Sequence, residues 1–376
     1  MENIKKITTI ITIMVLLVGS GASIFSSASP ASAESQNPYL VRTFTDGNGN
    51  QIDEIVFPGR PPEIKAVTAV VPEPNLQMGI NVLSDVPAFD WSYGCSATSA
   101  AMLFGYYDRT SYSNMYAGPT DGGICPLDNT SWGSTVWPSS TVSECPLSAT
   151  HNGIDGRAVY GHVDDYWVDY GDTGDDPYIG NWTAHIDGDC TGDFMGTNQS
   201  TLGNVDGSTT FYFEPGGDPL YDYTGAPGDG CHGMRLFAES RGYNVVTNFS
   251  QYIVGYIHPV KGFTYDDFIT EIDAGRLVLI QLEGHTVLGY GYDDTTDDTV
   301  YIHDTWDHSP HTMTWGGIYG GYQHFGVTVI QLDTTAEMDI QGQSISIPDG
   351  DTTPQIADDT DFGNADIATG TVVHTF

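Results

Sequence analysis

The chain has 376 residues, with 49 acidic against 11 basic side chains and a formal charge of -38. At about 150 residues per domain the length allows two domains, and 39% hydrophobic content is enough for a sizeable core. So acidic a balance excludes nucleic acid as a partner, because phosphate binding needs clustered Lys and Arg, and it disfavours an anionic membrane surface.

Residues 1–33 read as a secretory signal peptide. Lys5 and Lys6 give the positive start, Ile7 to Phe25 is mostly apolar, and Ala31-Ser32-Ala33 is a small-x-small cleavage site. No later segment is apolar enough to span a bilayer. The expectation is an exported, secreted or cell-surface protein that is soluble and monomeric.

Residues 34–80 form a lead-in. Val41 to Thr45, the turn Asp46-Gly47-Asn48-Gly49-Asn50, and Ile52 to Phe57 predict a hairpin. The turn is not an EF-hand, because Gln51 and Phe57 stand where Gly and Glu are needed. Pro58-Gly59-Arg60-Pro61-Pro62 reads as a linker, and the whole segment is a candidate pro-region.

A main domain is expected over 81–334. Ala97, Ala100, Ala101, Leu103, Phe104 and Tyr107 have helical spacing, which predicts a helix from Cys95 to Tyr107. Residues 120–230, rich in Gly, Asp, Trp and Tyr, read as a loop-rich insertion. Cys231 to Arg241 predicts a second helix, and Thr264 to Ala274 a third, capped by Thr264 with Asp266 and Asp267 in its first turn. Five strands follow, at 277–282, 285–292, 299–304, 312–315 and 325–332, which predicts a β-meander. A helix followed by an antiparallel sheet implies an α+β fold. Residues 335–376 change character and read as a flexible tail.

Five cysteines, Cys95, Cys125, Cys145, Cys190 and Cys231, leave at least one thiol unpaired. The expectation is a free Cys95, with Cys125–Cys145 and Cys190–Cys231 bridged, one of three ways to pair four cysteines. Cys95 follows Gly94 at the predicted helix N-terminus, whose partial positive charge and free N–H groups favour a thiolate and can hold an oxyanion. A thiolate needs a base, and the base an orienting group. His285 at a strand start and Asp304 at the end of the neighbouring strand can meet across the ladder. The candidate catalytic set is Cys95, His285 and Asp304.

The segment Trp91-Ser92-Tyr93-Gly94-Cys95-Ser96-Ala97-Thr98-Ser99-Ala100-Ala101-Met102 resembles the nucleophile motif of papain-like cysteine peptidases, of the kind that includes double-glycine leader peptidases. Gly284-His285-Thr286-Val287 with Gly291-Tyr292-Asp293-Asp294 resembles that family's Gly-His strand and turn. Ile302-His303-Asp304-Thr305-Trp306 resembles its acid motif. The resemblance implies a papain-like fold and peptide-bond hydrolysis by a Cys-His-Asp triad. Transglutaminases and deamidases share this chemistry. A non-catalytic module binding glycan or protein is the alternative from another class. Where the family has a Gln that donates to the oxyanion, this chain has Phe89, followed by Asp90, and an ionised Asp cannot donate. The Cys95 backbone N–H and Ser92 are the local substitutes, with Asp90 beside them.

No cofactor is expected for this chemistry. His303, Asp304, Asp307, His308 and His311, with His324 beyond, could ligate zinc, but Pro310 interrupts them and no helical ligand pair is present. Asp187, Asp189 and Asp193, with the Asp164-Asp165 pair, are candidate ligands for a structural calcium. In the tail, Asp361-Phe362-Gly363 and Val372 to Phe376 resemble the start of a bacterial immunoglobulin-like surface repeat, cut short by the end of the chain.

Overall fold

A computed structural model describes residues 37–59, 79–113, 115–116, 123–137, 140–149, 190–199, 202–204, 207–295, 297–333, 340–342 and 345–347. All of these lie in one unit, Asn37–Phe376. The expected signal peptide at 1–33 lies outside the described residues, as do Asp164, Asp165, Asp187 and Asp189 and most of the tail.

The lead-in forms the expected hairpin, β1 (Leu40–Thr45) and β2 (Gln51–Phe57). Its turn closes on Asp46, whose Oδ1 accepts from the N–H groups of Asn48 and Asn50 at 2.9 Å each. A short strand, β3 (Ile80–Val82), leads to helix α1 (Cys95–Arg109). After a 3-10 turn (Asn129–Trp132) come the ribbon β4 (Ser134–Trp137) and β5 (Ser140–Ser143), then α2 (Thr191–Met195), β6 (Thr209–Phe213) and β7 (Leu220–Tyr221). Helix α3 (Gly230–Ser240), strand β8 (Val245–Tyr252) and helix α4 (Tyr265–Asp273) precede the sheet-rich end. That end runs through β9 (Val278–Leu282), β10 (His285–Asp293), β11 (Thr299–His303), β12 (His311–Thr314), β13 (Ile318–Tyr319) and β14 (Tyr322–Leu332). A small hairpin, β15 (Ile340–Gly342) and β16 (Ile345–Ile347), is the described part of the tail.

Nine strands make the main antiparallel sheet, in the order β12-β11-β10-β9-β14-β8-β7, with β3 on β10 and β13 on β14. Side chains alternate across it, as a pleated strand requires. Val278, Ile280 and Leu282 of β9 pack with Phe268 and Ile272 of α4. Leu279, with Leu288 and Tyr290 of β10, faces the other way onto α1 and α3 through Ala100, Leu103, Phe104 and Phe237. The sheet is therefore covered on both sides. Helix α4 starts as read, with a capping box between Thr264 and Asp267.

Two expectations are corrected. The described chain is about 35% strand against 20% helix, and no papain-like α+β fold is identified in it. The excess sheet comes from segments in which no particular strand was expected. Strand β3 pairs with β10, β8 pairs with β14, and β6 joins β1 and β2 in a second sheet of order β1-β2-β6. The meander is also incomplete: β14 returns to pair with β9 instead of continuing past β12. Within the segment read as an insertion, Met195, Phe211 and Phe213 sit in the main core beside Ile55 and Phe57 of the lead-in.

Candidate active site

Helix α1 is buried along nearly its whole length, from Cys95 to Asp108. Cys95 is its first residue. The preceding turn holds Tyr93 at φ 55° and Gly94 at φ 136°, a conformation that a side chain at 94 would strain. Gly207 packs so closely on this turn that a Cβ there would lie 3.0 Å from the Tyr93 carbonyl. Gly94 is the N-cap and has no side chain to cap the first N–H groups.

His285 opens β10 after the tight turn at Glu283-Gly284. Gly284 has φ 97°, and a Cβ on it would meet the Tyr39 hydroxyl at 2.5 Å, so the lead-in crosses directly over this turn. His285 is fully buried. Its ring lies flat on Trp306, with 4.9 Å between centroids and 2° between planes. Nε2 lies 2.7 Å from the Asp304 main-chain oxygen. A carbonyl can only accept, so Nε2 carries the proton and Nδ1 holds the lone pair. Nδ1 is buried and has no hydrogen-bond partner among the described residues.

The Asp304 carboxylate therefore does not face His285, as the triad expectation required. Oδ2 accepts from the Tyr319 hydroxyl at 2.6 Å and lies 3.5 Å from His311 Nε2, while Oδ1 accepts from the Trp306 N–H at 3.0 Å. The carboxylate clamps the turn 304–306, and the turn supplies two things to His285: a main-chain acceptor and an indole face. The turn is strained, since Thr305 is a β-branched residue at φ 63°. It is tied to the loop before Cys95 by the Trp91 N–H donating to the Thr305 oxygen at 2.8 Å.

The first turn of α1 meets Thr286, the neighbour of His285, through Ser96 and through Ser99, whose Oγ donates to the Thr286 main-chain oxygen at 3.1 Å. A buried chain of bonds fixes this contact. Ser96 Oγ and Thr286 Oγ1 are 2.8 Å apart, Thr286 Oγ1 donates to Gln281 Oε1 at 2.8 Å, and Gln281 Nε2 donates to Thr328 Oγ1 at 3.0 Å. Sγ itself leans toward the Pro58 carbonyl oxygen at 3.6 Å. The next carbonyl, of Gly59, accepts from Trp91 Nε1. Pro58 and Gly59, the described part of the expected linker, are thus a strap across the thiol, anchored by Phe57 among Phe211 and Phe325.

The electrostatics match a covered site. Burial pushes the Cys95 thiol above its ordinary value, with the bonds from Thr286 and Ser96 countering in part. Burial lowers His285 to about 4, against the pull of the Asp304 carbonyl. At neutral pH both groups are uncharged, so the closed molecule holds no thiolate–imidazolium pair. Desolvation here outweighs the helix N-terminus, which is worth only about 0.3–2 kcal/mol.

The other predicted residues are placed as follows. Ser92 is fully buried beside the first turn of α1, its N–H donating to Thr98 Oγ1 at 3.1 Å, and its own hydroxyl has no partner among the described residues. Asp90 is no oxyanion donor: its Oδ2 accepts from Ser143 at 3.3 Å and lies 3.4 Å from His308 Nε2. Phe89 packs on Trp132 in the core. All five cysteines are buried and none is in a disulfide, so the expected Cys125–Cys145 and Cys190–Cys231 bridges are not formed. Cys190 Sγ instead accepts from the Asp193 N–H as the N-cap of α2, and Cys231 Sγ from Asn248 Nδ2. Asp193 is the one described member of the calcium set and sits buried in the first turn of α2. Of the histidine-rich segment, Asp304, Asp307 and His311 could bring ligand atoms within 4.8 Å of one another. Their own bonds hold them together without an ion, His311 Nε2 lying 3.1 Å from Asp307 Oδ1. His303 stacks on Tyr290, and both nitrogens of His324 are taken up, Nδ1 accepting from the Gly316 N–H and Nε2 donating to the Gly326 oxygen.

Sequence reasoning missed the strap, the Tyr319 clamp and the Trp306 face. Among the described residues no helix is long and apolar enough to cross a membrane. No family model, curated protein or solved structure matches the chain.

Proposed function

We propose that the chain is a secreted cysteine-type peptidase, kept latent by its own lead-in. One observation carries this reading: the helix start that bears Cys95 is bonded, through Ser96, to the neighbour of a histidine whose tautomer leaves a buried Nδ1 lone pair unused. A neutral imidazole in that state is the form that takes a thiol proton. The three motifs that resemble double-glycine leader peptidases, in their order along the chain, support the same assignment. Export rests on the leader residues Lys5 to Ala33. The partner is an extended peptide or protein segment, and no cofactor is needed.

In the proposed mechanism Cys95 Sγ gives its proton to His285 Nδ1 and attacks the peptide carbonyl. The carbonyl π pair moves to oxygen. The imidazolium, held by the Asp304 main-chain oxygen, then protonates the leaving amine. Water repeats the sequence on the thioester. The Pro58–Gly59 strap must first withdraw. The covered, uncharged state of Cys95 and His285 is what favours the second reading, a non-catalytic binding module. Treatment with a peptidyl acyloxymethyl ketone separates them: an enzyme loses its activity as the probe maps to Cys95, whereas a binding module has no turnover to lose. Release of ammonia or amine incorporation at glutamine, without chain cleavage, would assign a deamidase or transglutaminase instead.

A further inference from the structure

Acyl transfer needs donors for the oxyanion, and the residue that carries the side-chain donor in the resembling family is here a core phenylalanine, Phe89. Asp90 is turned toward His308. The donor must come from elsewhere. Buried polar groups in folded proteins are nearly always paired, so an orphan asks for an explanation. Two hydroxyls, on the loops that precede Cys95 and follow Asp304, are such orphans. Ser92 Oγ and Thr305 Oγ1 are buried, at 0% and 1% residue exposure, and neither has a partner among the described residues. They stand on two loops that touch: the Trp91 N–H, one residue from Ser92, donates to the oxygen of Thr305 itself. Both loops are strained next to these residues, at Tyr93 and at Thr305. A β-branched residue at positive φ is retained only where its surroundings force it, and such places cluster at functional sites. The first turn of α1, three residues after Ser92, has no side-chain cap.

We propose that Ser92 and Thr305 are the side-chain donors of the oxyanion site, acting with the uncapped N–H groups of α1. The proposal rests on the peptidase reading above. In the step concerned, the Cys95 Sγ–carbon bond forms, the carbonyl π bond breaks, and its electron pair settles on oxygen, where the two hydroxyls donate. The thiol proton goes to His285 Nδ1. Ground-state carbonyls need these donors less than the oxyanion does, so the hydroxyls act on kcat more than on KM.

The test uses the full chain and two reagents. The aldehyde acetyl-phenylalanyl-glycinal forms a hemithioacetal that carries the oxyanion, whereas iodoacetamide alkylates the same thiol without one. Ser92→Ala and Thr305→Val should each weaken aldehyde inhibition and lower kcat by about 100-fold, the usual effect of removing one oxyanion donor. KM and the alkylation rate at Cys95 should stay within twofold. Ser92→Thr and Thr305→Ser, which keep a hydroxyl, should recover most of the loss. Wild-type aldehyde inhibition in both deletion variants overturns the proposal and leaves the peptidase reading standing. A parallel fall in alkylation, unrelieved by the hydroxyl-keeping variants, also overturns it, by showing a structural role. No aldehyde adduct in the wild type or in Trp91→Phe, which loses the strap's bond at the Gly59 oxygen, sinks the peptidase reading and this proposal with it.

Discussion

Trp91→Phe should open the strap. Trp91 Nε1 donates to the Gly59 oxygen, while its ring packs on Tyr93 with 5.6 Å between centroids. Phenylalanine keeps most of the ring contact and loses the bond. A neutral hydrogen bond is worth about 1 kcal/mol net. The Gly59 oxygen is also left unpaired in the closed state, which adds to the cost. The closed state should therefore lose at least about 1 kcal/mol against the open one, or about fivefold in the open population. Cys95 is 1% exposed, so alkylation reads that population whenever reclosing outruns the reagent. The assay is iodoacetamide labelling at fixed pH, followed by mass mapping of the Cys95 peptide, with the other four thiols as internal controls. About fivefold faster labelling confined to Cys95 is the expected result. An unchanged or slower rate would refute the idea that the strap is what closes the thiol.

Other outcomes follow from the same geometry. Tyr319→Phe removes a buried bond to the Asp304 carboxylate and should cost about 1–3 kcal/mol in urea unfolding, with kcat falling further than KM rises. Gly320→Ala should act through Trp306, because a Cβ at φ 57° would lie 2.5 Å from the indole. The indole must then leave the His285 ring, and activity should drop while Cys95 stays alkylatable. In the closed wild type, Cys95 labelling should rise with pH toward the raised thiol value, with no plateau below pH 7. Such a plateau would mean a thiolate–imidazolium pair and contradict the direction of both shifts. His324, lowered to about 3 by burial, accepts on Nδ1 and donates on Nε2, which only the neutral ring can do. Its contribution is complete above the unfolded value near 6.5 and is lost as pH falls toward 3. The stability margin of wild type over His324→Asn should shrink by about 2 kcal/mol between pH 6.5 and 5, measured by urea unfolding.

The local elements were legible where period and cap agreed. Thr264, Asp266 and Asp267 announced α4, and the alternation from Val41 through Asn50 to Phe57 announced the β1–β2 hairpin. Helix α1 was legible because its small residues and Leu103 and Phe104 share a spacing. Partnership between distant segments was not legible. Nothing in Ile80–Val82 or Val245–Tyr252 says that these join β10 and β14, because a strand's partner is set by tertiary packing. The composition of 120–230 suggested an insertion of loops and short strands, yet Phe211 and Phe213 are core residues. At the site, Cys95 and His285 were readable as residue types in order along the chain. The role of Asp304 was not, because the sequence suggests a carboxylate and the structure uses a main-chain oxygen. Charge states were missed for a related reason: the helix N-terminus is visible in sequence, and the burial that overrides it is not.

The central claim is that Cys95 is a nucleophile served by His285. It is tested most directly by a peptidyl acyloxymethyl ketone, applied to the wild type and to Trp91→Phe, Cys95→Ala and His285→Ala proteins while peptide hydrolysis is followed. The account predicts labelling at Cys95 alone, faster in Trp91→Phe and abolished in His285→Ala, with hydrolysis lost in step with labelling. Full hydrolysis by Cys95→Ala, or undiminished labelling of Cys95 in His285→Ala, would contradict it.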